Sequence, residues 1–187
     1  MKSLLACTGL LIAAAALSAQ TPAPKPPPKS PAATESATIA GKGITITYSS
    51  PGVKGRAGHL FAKDGQIGHD PTYPIWRAGA NAATKLHTDG DLTIGSLAVP
   101  AGDYTLYADV SDPDNWVLVV NTQTGQWGTV YDKTKDLGRV PMTMTKPAEA
   151  IENLKYTLAG TGGANGSKGT LTLAWENHIA TVPFTVK

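Results

Sequence analysis

Three groups of side chains in this sequence have types and spacings that could serve recognition or catalysis: a guanidinium set among small residues, a few carboxylates, and scattered histidines. The first is the most unusual. Residues 74–84 read Pro-Ile-Trp-Arg-Ala-Gly-Ala-Asn-Ala-Ala-Thr. Small side chains let other groups approach the backbone, Arg77 offers a planar fork of donors, and Asn81 adds an amide. That combination suits a carboxylate, a phosphate or a sugar hydroxyl, with Trp76 or Trp127 as one wall. Such residues also have a commoner, structural use, in which Arg77 bonds backbone carbonyls and Asn81 caps a turn. Glu176 lies between Trp175 and Asn177 and could exchange protons if the fold buries it. Asp132 with Asp136, and Glu149 with Glu152, are the other close carboxylates, and their surroundings read as solvated loops.

The remaining signals are weaker. His59, His69, Asp70, His87 and His178 show no pair at metal-ligand spacing, so no metal site is expected. A cluster would require a Gly/Pro-rich loop to gather His59, His69 and Asp70. Asp109, Asp112, Asp114 and Asn115 offer oxygens but lack the turn glycine and closing glutamate of a calcium loop, which favours a plain turn. There is no Gly-x-Ser-x-Gly elbow for a serine nucleophile. The glycine-rich run 160–166 opens no helix that could hold a phosphate, and it reads as a hairpin loop. Within it, Asn165-Gly166-Ser167 matches a glycosylation sequon. Neither a cofactor nor a catalytic constellation is expected.

Strands must position these residues. Ile44, Ile46 and Tyr48 alternate with threonines. So do Tyr104, Leu106 and Ala108; Val140, Met142 and Met144; Leu154, Tyr156 and Leu158; Leu171, Leu173 and Trp175; and Val182, Phe184 and Val186, each with polar or small neighbours. Period two places each apolar set on one face of a sheet. Residues 116–120 are apolar throughout, as in a central strand buried on both faces. Asp89-Gly90 lies between Thr84-Lys85-Leu86-His87 and Leu92-Thr93-Ile94, which predicts a hairpin. No long helical period occurs, and residues 147–154 are the best candidate for a turn or two of helix. Nine or ten short strands joined by polar turns predict an all-β, antiparallel two-sheet β-sandwich, and each of the four tryptophans, Trp76, Trp116, Trp127 and Trp175, reads as core sooner than as a ligand platform.

Composition bounds the rest. The chain has 187 residues, 41% hydrophobic and 16% charged, with a formal net charge of +2 and one cysteine. That balance excludes bulk disorder, a nucleic-acid interface built on a basic stripe, and a disulfide framework. Residues 1–19 have a positive start, a short apolar core and small residues before Gln20, the layout of a signal peptide. The apolar run is too short to span a membrane, and Cys7 comes too early for a lipoprotein signal. Residues 20–37 are rich in Pro and Ala, including Pro26-Pro27-Pro28, and read as an extended, disordered linker. Residues 38–187 are then one sandwich domain, secreted or periplasmic after cleavage.

Trp76-Arg77-Ala78-Gly79-Ala80-Asn81-Ala82-Ala83-Thr84 resembles the W-R-x-G-A-N-E-A-T signature of a bacterial family of secreted proteins, domain of unknown function 2911. Further matches fall in the same order. They are Ser49-Ser50-Pro51 with Val53-Lys54-Gly55-Arg56, Pro100-Ala101-Gly102-Asp103-Tyr104-Thr105-Leu106, Gly125-Gln126-Trp127-Gly128, Tyr131-Asp132, Leu173-Ala174-Trp175-Glu176-Asn177, and Val182-Pro183-Phe184. The resemblance implies an extracytoplasmic bacterial β protein and no particular activity. This sequence departs from it at Ala82, where the signature has Glu, so no acid–base role attaches to that position. It also departs at His69-Asp70-Pro71-Thr72-Tyr73-Pro74, where a shorter turn is usual.

The expected function is a non-enzymatic, extracytoplasmic module that binds a small polar or carbohydrate-like ligand, or a partner protein, through Trp76, Arg77, Asn81, Trp127 and Glu176. One alternative is an extracytoplasmic hydrolase or carbohydrate-active enzyme using Glu176, or the Asp132 and Asp136 region, near Arg77. A second is a purely structural envelope domain. The signal-peptide layout predicts that intact-mass analysis of secreted protein will place the mature N-terminus at or near Gln20. A mass retaining Met1, or a lipid adduct on Cys7, would contradict it.

Overall fold

The structure is a computed structural model that describes residues 29–162 and 166–187. The expected signal peptide, the linker through residue 28, and Gly163, Ala164 and Asn165 of the glycine-rich run and its sequon lie outside the described residues.

Thirteen strands follow one another: β1 (Ala32–Ile39), β2 (Lys42–Ser49), β3 (Ile75–Trp76), β4 (Thr84–Thr88), β5 (Leu92–Ile94), β6 (Leu97–Val99), β7 (Gly102–Asp109), β8 (Val117–Asn121), β9 (Asp136–Pro141), β10 (Thr143–Thr145), β11 (Ile151–Thr161), β12 (Lys168–Glu176) and β13 (His178–Val186). A 3-10 turn spans Lys133–Lys135, and these are the regular elements among the described residues. The strands form two antiparallel sheets. One runs β1-β2-β4-β7-β8-β9 with β3 also on β7, and the other runs β11-β12-β13-β5-β6 with β10 also on β13. The all-β two-sheet sandwich expected from the alternation is the observed fold. Among the described residues no helix is long and apolar enough to cross a membrane.

The core follows the parity of the strands. Ile44 and Ile46 from β2, Leu106 and Ala108 from β7, and Leu118 and Val120 from β8 face Leu154 and Tyr156 from β11, Leu171 and Leu173 from β12, and Val182 and Phe184 from β13. On the opposite face of the first sheet, Ile75, Tyr107 and Val119 form a second buried cluster with Ala83 and Tyr131. This is why 116–120 carries no polar alternation: both faces of β8 are covered.

Four local expectations are corrected. Residues 20–37 do not all form a linker, because Ala32 onward pairs with β2 over the length of β1. The inward positions of β1 are Ala33, Glu35 and Ala37, side chains too small or polar to give a hydropathy signal; the Glu35 carboxylate accepts from Leu158 N of β11 at 3.1 Å. Asp89-Gly90 is not a hairpin tip, since β4 lies in the first sheet and β5 in the second. Asp89 instead exchanges bonds with Gly43, and the turn carries the chain between sheets. The alternation through Val140, Met142 and Met144 is not one strand either: β9 pairs with β8, β10 pairs with β13, and the chain changes sheet at Met142. Residues 151–154 belong to β11 rather than to a helical turn.

Because β1 buries Ile39 and occupies the edge beside β2, a chain beginning at Ala40 is expected to lose at least about 2 kcal/mol relative to one beginning at Lys29, the scale of a large core truncation. Urea denaturation of the two chains checks this. Equal midpoints would restore the linker reading through residue 37.

Candidate functional site

The Trp-Arg-Ala-Gly-Ala-Asn segment is an interruption in a sheet. Trp76 of β3 pairs with Ala108 and Thr84 of β4 pairs with Leu106, both on β7. Between them, residues 77–83 leave the sheet opposite Tyr107 alone. The detour needs left-handed backbone at Ala78 (φ 47°) and Asn81 (φ 61°), which disfavours both strand and helix. Its polar groups are met by side chains. The Ala78 carbonyl accepts from the Tyr156 hydroxyl at 2.9 Å and from the Thr84 hydroxyl at 3.1 Å. Arg77 Nη1 donates to the Asn81 carbonyl at 3.3 Å, and Gly128 N donates to the same oxygen at 3.0 Å. Any Cβ at Gly128 would collide with the Arg77 side chain, so glycine is required there.

Arg77 also forms an ion pair with Asp70, through Nη2 and Oδ2. Asp70 Oδ1 accepts in turn from Thr72 N and the Thr72 hydroxyl. The pair ties residues 50–74, which have no regular structure, to the detour. That loop is pinned from below by buried Leu60 and Ile67, with Phe61 in an aromatic cluster of Trp76, Trp116, Trp175 and His178. Trp76 and Trp175 stack at 5.8 Å, and Trp116 and His178 at 5.0 Å.

A cleft of about 740 Å³ lies where the loop, the detour and the start of the described chain meet. Trp76, Arg77 and Asn81 line it, with Trp175 beside them. So do Lys29, Lys54 and Arg56, while Asp70 is its one carboxylate among the described residues. Lys54 Nζ donates to the Lys29 carbonyl at 2.6 Å, and Arg56 donates to the Val53 and Gly52 carbonyls, so these cations are held by neutral oxygens. Asn81 Nδ2 makes only long contacts, 3.4 Å to the Ser30 carbonyl and 3.3 Å to the Ser49 hydroxyl. Sequence reasoning reaches Asp70 only as a metal candidate and misses Lys29, Lys54 and Arg56 as site residues. Lys54 and Arg56 carry a signal in the basic spacing of Val53-Lys54-Gly55-Arg56, whereas Lys29 carries none.

The other two site residues lie elsewhere. Trp127 is 56% exposed and bridges Ala82 on the far side of the detour; it does not line the cleft. Glu176 is 2% exposed and faces a different cavity. Three of the four tryptophans are in the core. The remaining carboxylates are committed to local structure. Asp132 caps the 3-10 turn, and Asp136 accepts from the Tyr131 hydroxyl at 2.7 Å, from Arg139 and from Asn121 Nδ2. Burial, with Asp136 adding to it, pushes Tyr131 up to about 12. Glu152 accepts from Lys54 N. Asp112 accepts from Asp114 N and from Asn115 Nδ2, a turn rather than a calcium loop. Among the described residues no three His, Cys, Asp or Glu side chains gather as for a metal ion.

The two histidines with shifted titration act in opposite directions on stability. Burial holds His178 below its ordinary value, with Glu176 opposing. The folded state therefore binds fewer protons than the unfolded chain, and stability present above about pH 6.5 is lost as the pH falls through the folded-state value. Hydrogen bonds to Asp103 and then Asp89 raise exposed His87. Its contribution is present below about pH 6.5 and fades as the pH rises through the folded-state value. Urea melts of His178→Gln between pH 7.5 and 5 should show a weaker loss of stability on acidification than the parent chain. His87→Gln should show a stronger one.

Arg77 and Asp70 are both part-buried and hydrogen-bonded. Arg77→Lys, which cannot reach Asp70 and the Asn81 carbonyl together, should cost about 1–3 kcal/mol in chemical denaturation. A change below about 0.5 kcal/mol would mean that the pair is not structural.

No curated protein and no solved structure matches this chain. A family model does match, and it covers residues 30–184, from the start of the described chain to Phe184 in β13. The signature around Trp76 is therefore the seam between β3 and β4, and the chain belongs to the family described as protein of unknown function DUF2911.

Proposed function

We propose that this domain is an extracytoplasmic binding module whose cleft takes a small anionic ligand, such as a carboxylated or phosphorylated metabolite or an acidic glycan. The observation that carries this reading is the charge of the cleft. Four cationic side chains, Lys29, Lys54, Arg56 and Arg77, share it with a single carboxylate, Asp70, which Arg77 already binds. Cations set in a concave site with apolar walls focus a positive field on whatever enters. Trp76 and Trp175 supply such walls, and Asn81 has donor capacity that its long contacts leave underused.

Binding is favoured over hydrolysis because the carboxylates proposed for catalysis do not meet at this cleft. Asp132 and Asp136 are engaged in local hydrogen bonds, and Glu176 faces away. Arg77 has a framework role in this reading. Its pairing with Asp70 shapes the cleft, and its charge adds to the field.

The test is a calorimetric or thermal-shift screen of small acidic metabolites and acidic oligosaccharides at low salt. Asn81→Asp keeps a residue that tolerates left-handed backbone but reverses the local field. It should leave stability within about 0.5 kcal/mol and weaken binding about tenfold or more. Lys54→Gln should behave alike. A hit that binds both variants as tightly as the parent would place the ligand elsewhere. A screen without hits would remove the binding reading.

A further inference from the structure

The aromatic cluster divides its members between two cavities. Trp76 and Trp175 line the cationic cleft, whereas Phe61, Trp116 and His178 line a second cavity of about 440 Å³ together with Tyr73 and Glu176.

Glu176 is unusual there on three counts. It occupies the first corner of the β12–β13 turn, where Trp175 pairs with His178, and its φ of 53° is one that a hairpin normally assigns to glycine. A residue at a turn corner would ordinarily point to solvent, yet Glu176 is 2% exposed. Its carboxylate is only half satisfied as well. Oε1 accepts from Gly58 N at 2.6 Å, while Oε2 makes no hydrogen bond and has only His178 Nδ1 at 3.8 Å. That Nδ1 is itself buried without a partner. Among the described residues no lysine or arginine pairs with Glu176. A buried carboxylate without a counter-charge is costly, and so is a buried ring nitrogen without a bond.

A buried carboxylate without a counter-ion, lining a cavity together with aromatic residues, describes the complement of an –NH₃⁺ group. Such a group can donate to Glu176 Oε2. Its charge is also attracted to aromatic rings, which Phe61 and Tyr73 bring to the lining. We propose that this cavity is a binding site for a primary organic ammonium ion, held by Glu176 Oε2 between aromatic walls. The site is separate from the anionic-ligand cleft, and it stands or falls independently of that reading. Primary ammonium reaches such a site from a free amine or from a lysyl side chain of another protein. Exposed Lys63 lines the same cavity and adds a positive charge to it.

The test uses the full chain at low salt, titrated with n-butylammonium, with Nα-acetyl-lysine methylamide and with neutral 1-butanol. Calorimetry gives the affinity, and the indole N–H resonances locate the site. Saturable binding of one or both amines is expected, at least tenfold tighter than butanol, with the Trp116 resonance shifting and that of Trp127 unmoved. A tighter lysine mimic assigns the site to a protein side chain, and a tighter butylammonium assigns it to a free amine. Glu176→Gln keeps an oxygen for Gly58 N and removes the charge. It should not lower the melting temperature, since it removes a buried uncompensated charge, and it should weaken amine binding at least tenfold. Should that variant not fold, Lys63→Glu decides. It replaces a cation at the cavity by a negative charge, so amines should bind at least threefold tighter. Absence of saturation by both amines, butanol equal to the amines, unchanged binding in Glu176→Gln, or no tightening in Lys63→Glu would each overturn the assignment.

Discussion

A backbone that leaves a sheet in its middle exposes peptide groups that no neighbouring strand can satisfy, and buried peptide groups must be satisfied by something. Residues 77–83 make such a departure between Trp76 and Thr84, with both ends still paired to β7. The molecule meets the demand with side chains drawn from distant parts of the sequence. The Tyr156 hydroxyl comes from the opposite sheet, the Thr84 hydroxyl from the re-entering strand, and the Arg77 guanidinium from the departing one. Tyr156 is buried, which pushes its phenol far above the usual range and keeps it a neutral donor. The detour is thus bound to both sheets at once.

The organisation of this end of the sandwich follows from that arrangement. Once Arg77 is held by the Asn81 carbonyl and by the glycine at 128, its remaining nitrogen can reach Asp70 and draw in the loop 50–74. The loop brings Leu60 and Ile67 into the core and Phe61 against three tryptophans. Aromatic faces and edges are largely apolar but tolerate charge at a ring face. The cluster can therefore form a wall with cations gathered on one side and a buried carboxylate on the other. Packing, rather than any catalytic geometry, sets these two electrostatic environments apart.

The strands contrast with this end in how they are encoded. Their stability comes from parity: Leu118 and Val120 face the core while Val119 faces a second cluster under Tyr131, and each neighbour repeats the rule. A one-residue slip of β8 would reverse the two sets. The sandwich is accordingly determined many times over. The two cavities depend on a handful of bonds, the Arg77–Asp70 pair and the Glu176–Gly58 bond among them. Substitutions in this family member should be far better tolerated on the outer threonines than at these few contacts.

The sequence by itself determined the all-β class and the positions of most strands, because period-two alternation is a local property that any sheet must honour; core burial, expected for all four tryptophans alike, fails at exposed Trp127. It also marked residues 74–84 as poor strand and poor helix, which holds for the detour 77–83 but not for Ile75, Trp76 and Thr84, which are in strands; a run of small residues with Asn is what left-handed turns require. It could not show that β1 begins at Ala32, where alanines give no hydropathy contrast. Nor could it show that Asp89-Gly90 changes sheets, because a turn looks alike whether its strands pair or part. The grouping of site residues was decided only by tertiary structure. Trp175 and Glu176 are neighbours in sequence but line different cavities, and Lys54 shares a cleft with Arg77 because its backbone is held by Glu152 of β11, about a hundred residues away in sequence. Such contacts depend on long-range closure of the chain, which no local pattern of residues records.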